Sequence, residues 1–430
     1  MKKVIDKAKN IYKNQGPRVL ARKGLRFGRT KVLELVAPGR LRMGYKALWE
    51  EYSFVSNPIF QIDSKDIEAS MLAISGDLPK KIKTVNWFVP NFGHIKFGGI
   101  YTIFRFIEKM SVEGVNNRII IYDKPSFDTS KLKDQIGDNF PNLKDYEIII
   151  FDHASQDVNE LPECDIAICS FWVSAYLLLK FNKTKRKYYF IQDYEPLFYA
   201  GGSTYALAES TYRFGFKGLV NTPGLLAAVN QRHGMEGISF IPAVDQSIYY
   251  PDTNKNNKKV KIFFYARPNN PRNAFNLGIE IIKQLIEKYD DKIEIVTAGA
   301  DWEASAYGLG GKITNLGLLQ SLEEVGDLYR QCDIGFVYML SKHPSYQPFE
   351  FMASGMATVT NNNEDNLWLF ENGENCLLSE PSSAAMVEKI SQLIDDKELM
   401  VKISKNGHNF IKGYTWDQQL DTIWNELRQR

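Results

Sequence analysis

HPSYQPFEFMASG, His343 to Gly355, is the stretch whose reading decides the fold. An apolar run precedes it, Asp333 to Met339 (DIGFVYM), and a second follows, Ala357 to Thr360 (ATVT). Both runs read as buried strands. Ser345 and Pro348 are helix-start residues and Gly355 is a helix stop, so the unit is strand, tight turn, short helix, strand. A helix N-terminus offers free backbone N–H groups and a positive dipole end, which suits a diphosphate. Glu350 falls near the first turn, within reach of a sugar hydroxyl beside such an anion. An ordinary crossover with a solvated Glu350 fits the spacing equally well.

Outward from this unit the same alternation continues. Before it come a strand at Val260 to Tyr265 and a helix from Asn273 to Lys288. A strand at Ile293 to Thr297, a weak strand at Ile313 to Leu316 and a helix at Leu322 to Arg330 follow. After it come helices over 384–394, 397–411 and Trp416 to Leu427, the last amphipathic. Earlier in the chain, Thr84 to Val89 is a strand, followed by a glycine-containing turn (Pro90 to Gly99) and a helix from Ile100 to Val112. Strands at Arg118 to Tyr122, Glu147 to Phe151, Asp165 to Ser170, Lys187 to Ile191 and Leu219 to Asn221 complete that half. The stretch Ile241 to Asn256 breaks the pattern with two prolines and a polar run. The fold class is therefore α/β, with two Rossmann-like doubly wound domains facing a cleft. Their expected extents are 83–245 and 259–412, joined by a linker over 246–258. A basic, mostly helical extension (1–82) precedes them and a terminal helix (413–430) follows.

At 430 residues the chain is too long for one simple core. Its net charge of +2 is unevenly spread: residues 1–46 hold fourteen Lys/Arg against two acids, making that segment +12 and the remainder −10. Apolar residues at helical spacing (Val4, Ile5, Ala8, Ile11, Tyr12) give this arm an amphipathic cast, so a peripheral contact with an anionic membrane is one expectation. A solvated helical extension is the other. The four cysteines have neither zinc-ligand nor disulfide spacing, and the five histidines are scattered, so no metal is expected. No apolar run is long enough to span a bilayer and no export signal is visible, so a cytoplasmic location, with a peripheral contact at the inner face of the membrane, is the expectation.

Charged groups gather at the ends of strands. Arg267 and Arg272, in YARPNNPRN, can clamp a diphosphate and take up charge on a departing phosphate. Two surface arginines around a proline turn are the plain alternative. Asn315 to Leu318 (NLGL) can offer Gly317 and Leu318 to a nucleobase edge. Gly98 and Gly99 before a helix permit close backbone approach to a ligand. Asp193 and Glu195, in QDYE, bring two carboxylates toward the cleft rim, where one can orient or deprotonate an acceptor hydroxyl. A helix cap and a solvated glutamate are the alternatives there. His94, Asp152 and His153 also end strands or sit in turns. Neither GxGxxG nor GxxxxGK[ST] occurs, so dinucleotide and P-loop readings lose support.

Together these motifs are identified as those of a known family. YARPNNPRN, NLGLL and HPSYQPFEFMASGMATVTNNN, with VDQSIYYP before them, resemble the nucleotide-sugar half of family 4 glycosyltransferases of GT-B fold. NWFVPNFGHIKFGGIYTIFRF, YYFIQDYEPLFYAGGSTYALAESTY, ARPNNPRNAF and HPSYQPFE resemble the WsaF-type rhamnosyltransferases, over about residues 84–425. The resemblance implies retaining, metal-independent transfer of L-rhamnose from dTDP-β-L-rhamnose to a growing cell-envelope polysaccharide or lipid-linked glycan, at the inner face of the membrane and with no nucleic acid involved. It implies that Arg267 and Arg272 hold the diphosphate, where family 4 usually has lysine at the second position. Glu350 would bind the nucleotide ribose, the amides of Ser345, Tyr346 and Gln347 the phosphates, and Leu318 the base. The first glutamate of the family's Glu-x(7)-Glu pattern falls at Lys342 and is absent. The last helix would cross back onto the first domain. A non-hydrolysing sugar-nucleotide epimerase and a catalytically inactive scaffold are the rival readings of the same fold.

Overall fold

The computed structural model describes residues 49–77, 81–96, 98–123, 127–255 and 257–429. Two compact units make up the chain, residues 1–61 and 62–430. In the first unit, residues 49–55 are helical. A single turn, Pro58–Phe60, follows, and the Asn57 side-chain oxygen caps it by accepting the Ile59 N–H at 3.1 Å. The basic helices expected over 1–46 lie outside the described residues.

The second unit holds two all-parallel sheets. The first has seven strands: β1 (Thr84–Val89), β2 (Asn116–Ile121), β3 (Tyr146–Ile150), β4 (Cys164–Cys169), β5 (Thr184–Ile191), β6 (Lys217–Asn221) and β7 (Gly237–Phe240). Their order is β3-β2-β1-β4-β5-β6-β7. The second has six: β8 (Val260–Tyr265), β9 (Ile293–Ala298), β10 (Thr314–Asn315), β11 (Ile334–Val337), β12 (Ala357–Asn361) and β13 (Leu377–Ser379). Their order is β10-β9-β8-β11-β12-β13. In each sheet the winding reverses beside the first strand, between β1 and β4 and between β8 and β11. Open parallel sheets bind ligands at such reversal points, beyond the carboxyl ends of the strands.

Strands β7 and β13 went unread in the sequence. The first is short and opens on Gly237, which lies so close to Gly218 of β6 that a Cβ would stand 2.3 Å from the Gly218 carbonyl oxygen. The pairing there needs glycine, and glycine carries no strand signal. The second is only three residues long.

The helices are α1 (Ser64–Ala73), α2 (Gly98–Val112), α3 (Thr129–Asn139), α4 (Trp172–Lys180), α5 (Ser203–Ser210), α6 (Pro223–His233), α7 (Phe275–Tyr289), α8 (Leu322–Gln331), α9 (Gln347–Ala353), α10 (Ser383–Asp395), α11 (Lys397–Ile411) and α12 (Trp416–Gln429). Residues 64–73, inside the expected mostly helical extension, form α1, whose start is fixed by the capping box of Asp63 and Asp66. Helix α1 sits on β5, where the buried Lys187 ammonium donates to the Ser70 hydroxyl at 2.9 Å. Helix α7 starts two residues later than expected, because residues 271–273 make a separate turn and Ala274 takes φ 47°.

Each sheet is covered on both faces. In the first domain Trp87, Phe104, Phe106 and Phe190 are fully buried, and the Trp87 indole N–H donates to Asn117 at 3.1 Å inside that core. In the second, Phe264 and Phe336 stack at 4.7 Å. Gly278 of α7 admits Phe264, since a Cβ there would lie 2.0 Å from the ring. Helix α12 belongs to the first domain's core despite following the second in sequence: Leu420, Ile423, Trp424 and Leu427 pack with Trp87 and Phe106. Each such side chain contributes roughly 1.5–3 kcal/mol on burial. Among the described residues no helix is long and apolar enough to cross a membrane.

Candidate functional site

A cavity of about 630 Å³ opens between the two domains, within the range of small-ligand sites. Its second-domain wall is built from the turn after β8 (Arg267, Asn269), the turn after β9 (Gly299 to Asp301), Leu318 and Leu319 after β10, and Gln347 and Glu350 of α9. The first-domain wall is one face of α2, with Gly98, Tyr101, Thr102 and Arg105, joined by His94 and Lys96 from the turn before it. Tyr249 of the linker and Trp416 of α12 complete the lining. Because α12 and the linker both cross between domains, the cavity is a product of the whole unit.

Glu350 is buried in this wall. Burial pushes its carboxyl up to about 7, while hydrogen bonding from Tyr249 and Tyr329 pulls the other way. Arg267 donates to the Tyr265 hydroxyl at 2.7 Å and has no carboxylate partner among the described residues. Gly317, at φ 64°, lies against Asp301, whose carboxylate oxygen would be 2.1 Å from a Cβ at that position. Only glycine leaves that carboxylate its place at the cavity edge.

The expected helix start is corrected in detail. Helix α9 has seven residues and begins at Gln347. Ser345 precedes it at φ 71°, and its amide already donates to His343 Nδ1 at 2.9 Å, so that amide is not free for a phosphate. The Ser345 hydroxyl is likewise taken up by the Gln347 side-chain oxygen. His343 is buried, and burial together with the nearby Arg272 charge lowers its imidazole to about 3, so it is neutral. Tyr346 reaches across the crevice, its hydroxyl 2.8 Å from Thr102 Oγ1 and 2.8 Å from Asn221 Nδ2 of the first domain.

A second bridge lies beside the first. Asp193, after β5, takes an ion pair from Arg272 and a hydrogen bond from the Ser341 hydroxyl, both of the second domain. Burial pushes the Asp193 carboxyl up, and Arg272 and Ser341 oppose that shift. The Arg272 guanidinium also stands 4.0 Å from the Phe198 ring centre.

Glu195 is placed otherwise than expected. It is 3% exposed, well inside the rim. One of its carboxylate oxygens accepts from the Trp172 N–H at 2.6 Å and the Tyr189 hydroxyl at 2.8 Å, and burial lifts its carboxyl to about 8. It caps α4 and does not line the cavity. Gly99 faces Gln192, whose side-chain amide donates to its carbonyl at 3.0 Å. Lys342 is held by Asp365 at 2.6 Å. Of the expected residues, then, Gly98, Arg267, Leu318, Tyr346, Gln347 and Glu350 line the cavity. Gly317 stands at its edge, and Asp193, Arg272 and Ser345 belong to the neighbouring contacts.

Tyr101, Arg105, Tyr249 and Trp416 line the cavity without having been singled out. A signal existed for Arg105: Gly98, Thr102 and Arg105 recur at i, i+4 and i+7, one helical face starting from the glycine turn. Among the described residues no group of three or more His, Cys, Asp or Glu could hold a metal ion.

Residues 84–220 match the model of the WsaF N-terminal domain, and residues 260–391 match that of the WsaF C-terminal domain. The O-antigen biosynthesis protein RfbC of Myxococcus xanthus is 40% identical over 348 residues, which is 81% of this chain and 27% of that protein. The chain thus spans about a quarter of that relative's length. Sucrose-phosphate synthase from Thermosynechococcus elongatus superimposes with a TM-score of 0.64 at 12% identity, over 81% of this chain and 98% of that one. Anabaena HepE in complex with UDP and glucose gives 0.62 at 14% identity, over 81% and 100%. TarM of S. aureus gives 0.63 at 11% identity, over 81% and 100%. At these identities the likeness is one of fold.

Proposed function

Since the chain belongs to the WsaF family of GT-B glycosyltransferases, we propose that it moves L-rhamnose from dTDP-β-L-rhamnose, with retention, to a growing cell-envelope polysaccharide or lipid-linked glycan at the inner face of the membrane. The observation that carries this reading is the cavity itself. It lies at the reversal point of the second sheet, with a buried carboxyl (Glu350) and an arginine that has no carboxylate partner among the described residues (Arg267) on one wall. HepE, a fold relative, is described with UDP and glucose, and RfbC as an O-antigen biosynthesis protein. Both descriptions favour a sugar-nucleotide donor and a glycan acceptor here.

In this reading Glu350 takes the nucleoside sugar, Leu318 the base edge, and the backbone at Gly98, Tyr346 and Gln347 approaches the phosphates and sugar. Arg267 absorbs charge on the departing dTDP. Arg272 joins it when a phosphate displaces the Asp193 carboxylate. Asp193, so released from the contacts beside the cavity and with its carboxyl already pushed up by burial, is the group we assign to take the acceptor proton. The acceptor hydroxyl attacks from the face the nucleotide leaves. The chemistry needs no protein nucleophile, and we assign it no metal.

Thermal-shift titration with dTDP-rhamnose, UDP-sugars and GDP-sugars tests the donor. We expect the largest stabilisation with dTDP-rhamnose and no change in the donor sugar when no acceptor is present. Isomerisation of the donor alone would make the protein an epimerase. Stabilisation by no nucleotide sugar would leave a scaffold.

A further inference from the structure

We propose that Arg105 is a phosphate-binding residue contributed by the first domain, closing the cavity opposite Arg267. The inference rests on the donor reading for the cavity and adds to it a residue on the other wall. Arg105 projects from α2 on the same face as Gly98 and Thr102, and all three line the cavity. Its guanidinium carbon stands 4.7 Å from the Tyr101 ring centre and 4.9 Å from the Trp416 ring centre. Tyr101 lies one helical turn before Arg105, and Trp416 opens α12, so the crossing helix helps to hold the group in place. Two aromatic contacts fix the plane of a guanidinium and leave its N–H edge to a ligand.

The edge lacks a strong protein acceptor. Its ion pair with Asp245 is long, 3.9 Å, beyond hydrogen-bond distance, and Asp245 is itself 37% exposed; Glu108, one turn on in α2, acts on it only through space. The Arg105 Nε–H is buried with no hydrogen-bond partner among the described residues. Arginine stays ionised, so this is a held cation at 18% exposure with an unmet donor. A planar fork of donors in such a position matches phosphate oxygens. Lys96, exposed on the same wall, adds positive charge to that side. The phosphate belongs either to the donor diphosphate or to a diphosphate-linked acceptor, and one set of measurements separates the two.

The test is titration of the full-length protein with dTDP, thymidine and inorganic pyrophosphate, for the wild type, Arg105→Gln and Arg105→Lys. If the donor phosphate is the ligand, Arg105→Gln weakens dTDP and pyrophosphate by about tenfold or more and leaves thymidine unchanged, with Arg105→Lys between. If the acceptor phosphate is the ligand, dTDP affinity holds. The KM for a diphosphate-linked acceptor then rises, while that for a phosphate-free glycan does not. Asp245→Asn, which keeps the turn and removes the carboxylate paired with Arg105, is expected to tighten pyrophosphate, and it supplies the answer should Arg105→Gln fail to fold. Unchanged dTDP and pyrophosphate affinity together with unchanged acceptor KM in Arg105→Gln overturn the proposal, as does an Asp245→Asn protein with both wild-type pyrophosphate affinity and a wild-type KM for the diphosphate-linked acceptor. Pyrophosphate binding does not depend on the nucleoside, so a wrong donor assignment leaves this comparison intact.

Discussion

The turn after β5 and the helix α9 between β11 and β12 each carry a glutamate withdrawn from water. Glu195 is lifted to about 8 and Glu350 to about 7, and desolvation is the larger cause in both. By acidity alone the two are alike. What separates them is what surrounds them. Glu195 is enclosed by Trp172, Tyr189 and Tyr212, with the Trp172 N–H and the Tyr189 hydroxyl donating to it. Glu350 lines a cavity wide enough for a ligand. A perturbed carboxyl marks a site only when a reactant can reach it. The same contrast separates the arginines: Arg272 is bound to the Asp193 carboxylate, while among the described residues Arg267 meets Tyr265, by its hydroxyl and ring, and no carboxylate.

The largest expected effect tests the cavity side of this contrast. Arg267→Ala should lower the transfer rate roughly 100- to 1000-fold, as loss of a donor to developing charge does elsewhere. Its melting temperature should stay near that of the wild type, and a rate near wild type would move the leaving-group role elsewhere. Next comes the enclosed glutamate. Glu195→Ala should cost about 2–4 kcal/mol in denaturant unfolding, because a buried hydroxyl and a helix N–H lose their acceptor. Donor affinity measured well below the unfolding midpoint should be unchanged, and a loss there would put Glu195 in the site after all.

The smallest effect is one of pH. If Glu350 holds a hydroxyl of the nucleoside sugar, as proposed, its ionised form accepts that hydrogen bond best. Wild-type affinity for dTDP should therefore strengthen severalfold as pH rises through about 7, and Glu350→Gln should be weaker and flat. Glu195 acts in the opposite sense on stability. Its folded pKa, about 8, lies above the unfolded value of 4.5, so the folded form holds the extra proton between about 4.5 and 8. Stability falls as pH rises across that window. The Glu195→Gln protein should lose that slope, and a slope that persists would assign it to another group.

Much of the site was legible before any coordinates. The alternation of short apolar runs with amphipathic helices marks both sheets, since each strand buried on two faces must be apolar along its length. The turns after β8 and β11 bear charged and helix-starting residues, so Arg267 and Glu350 stand out. Arg105 and Tyr249 were harder to see. Each sits inside an otherwise ordinary element, a helix face or a linker, and gains its place only when a second domain closes over it. Ser345 misled for a related reason: serine before proline-rich helix starts usually caps, but here a positive φ turns its amide onto His343.

By itself, the sequence determined the two-sheet architecture, the linker, the crossing amphipathic helix and the wall that carries Arg267 and Glu350. These follow from local periodicity and turn chemistry, which act over a few residues. Only the tertiary structure decided which charged groups pair with one another and which face the cavity. Asp193 with Arg272, Tyr346 with Thr102 and Asn221, and Arg105 beside Trp416 all join residues far apart in the chain. Desolvation and pairing depend on what packs across a gap, and no local pattern encodes that distance.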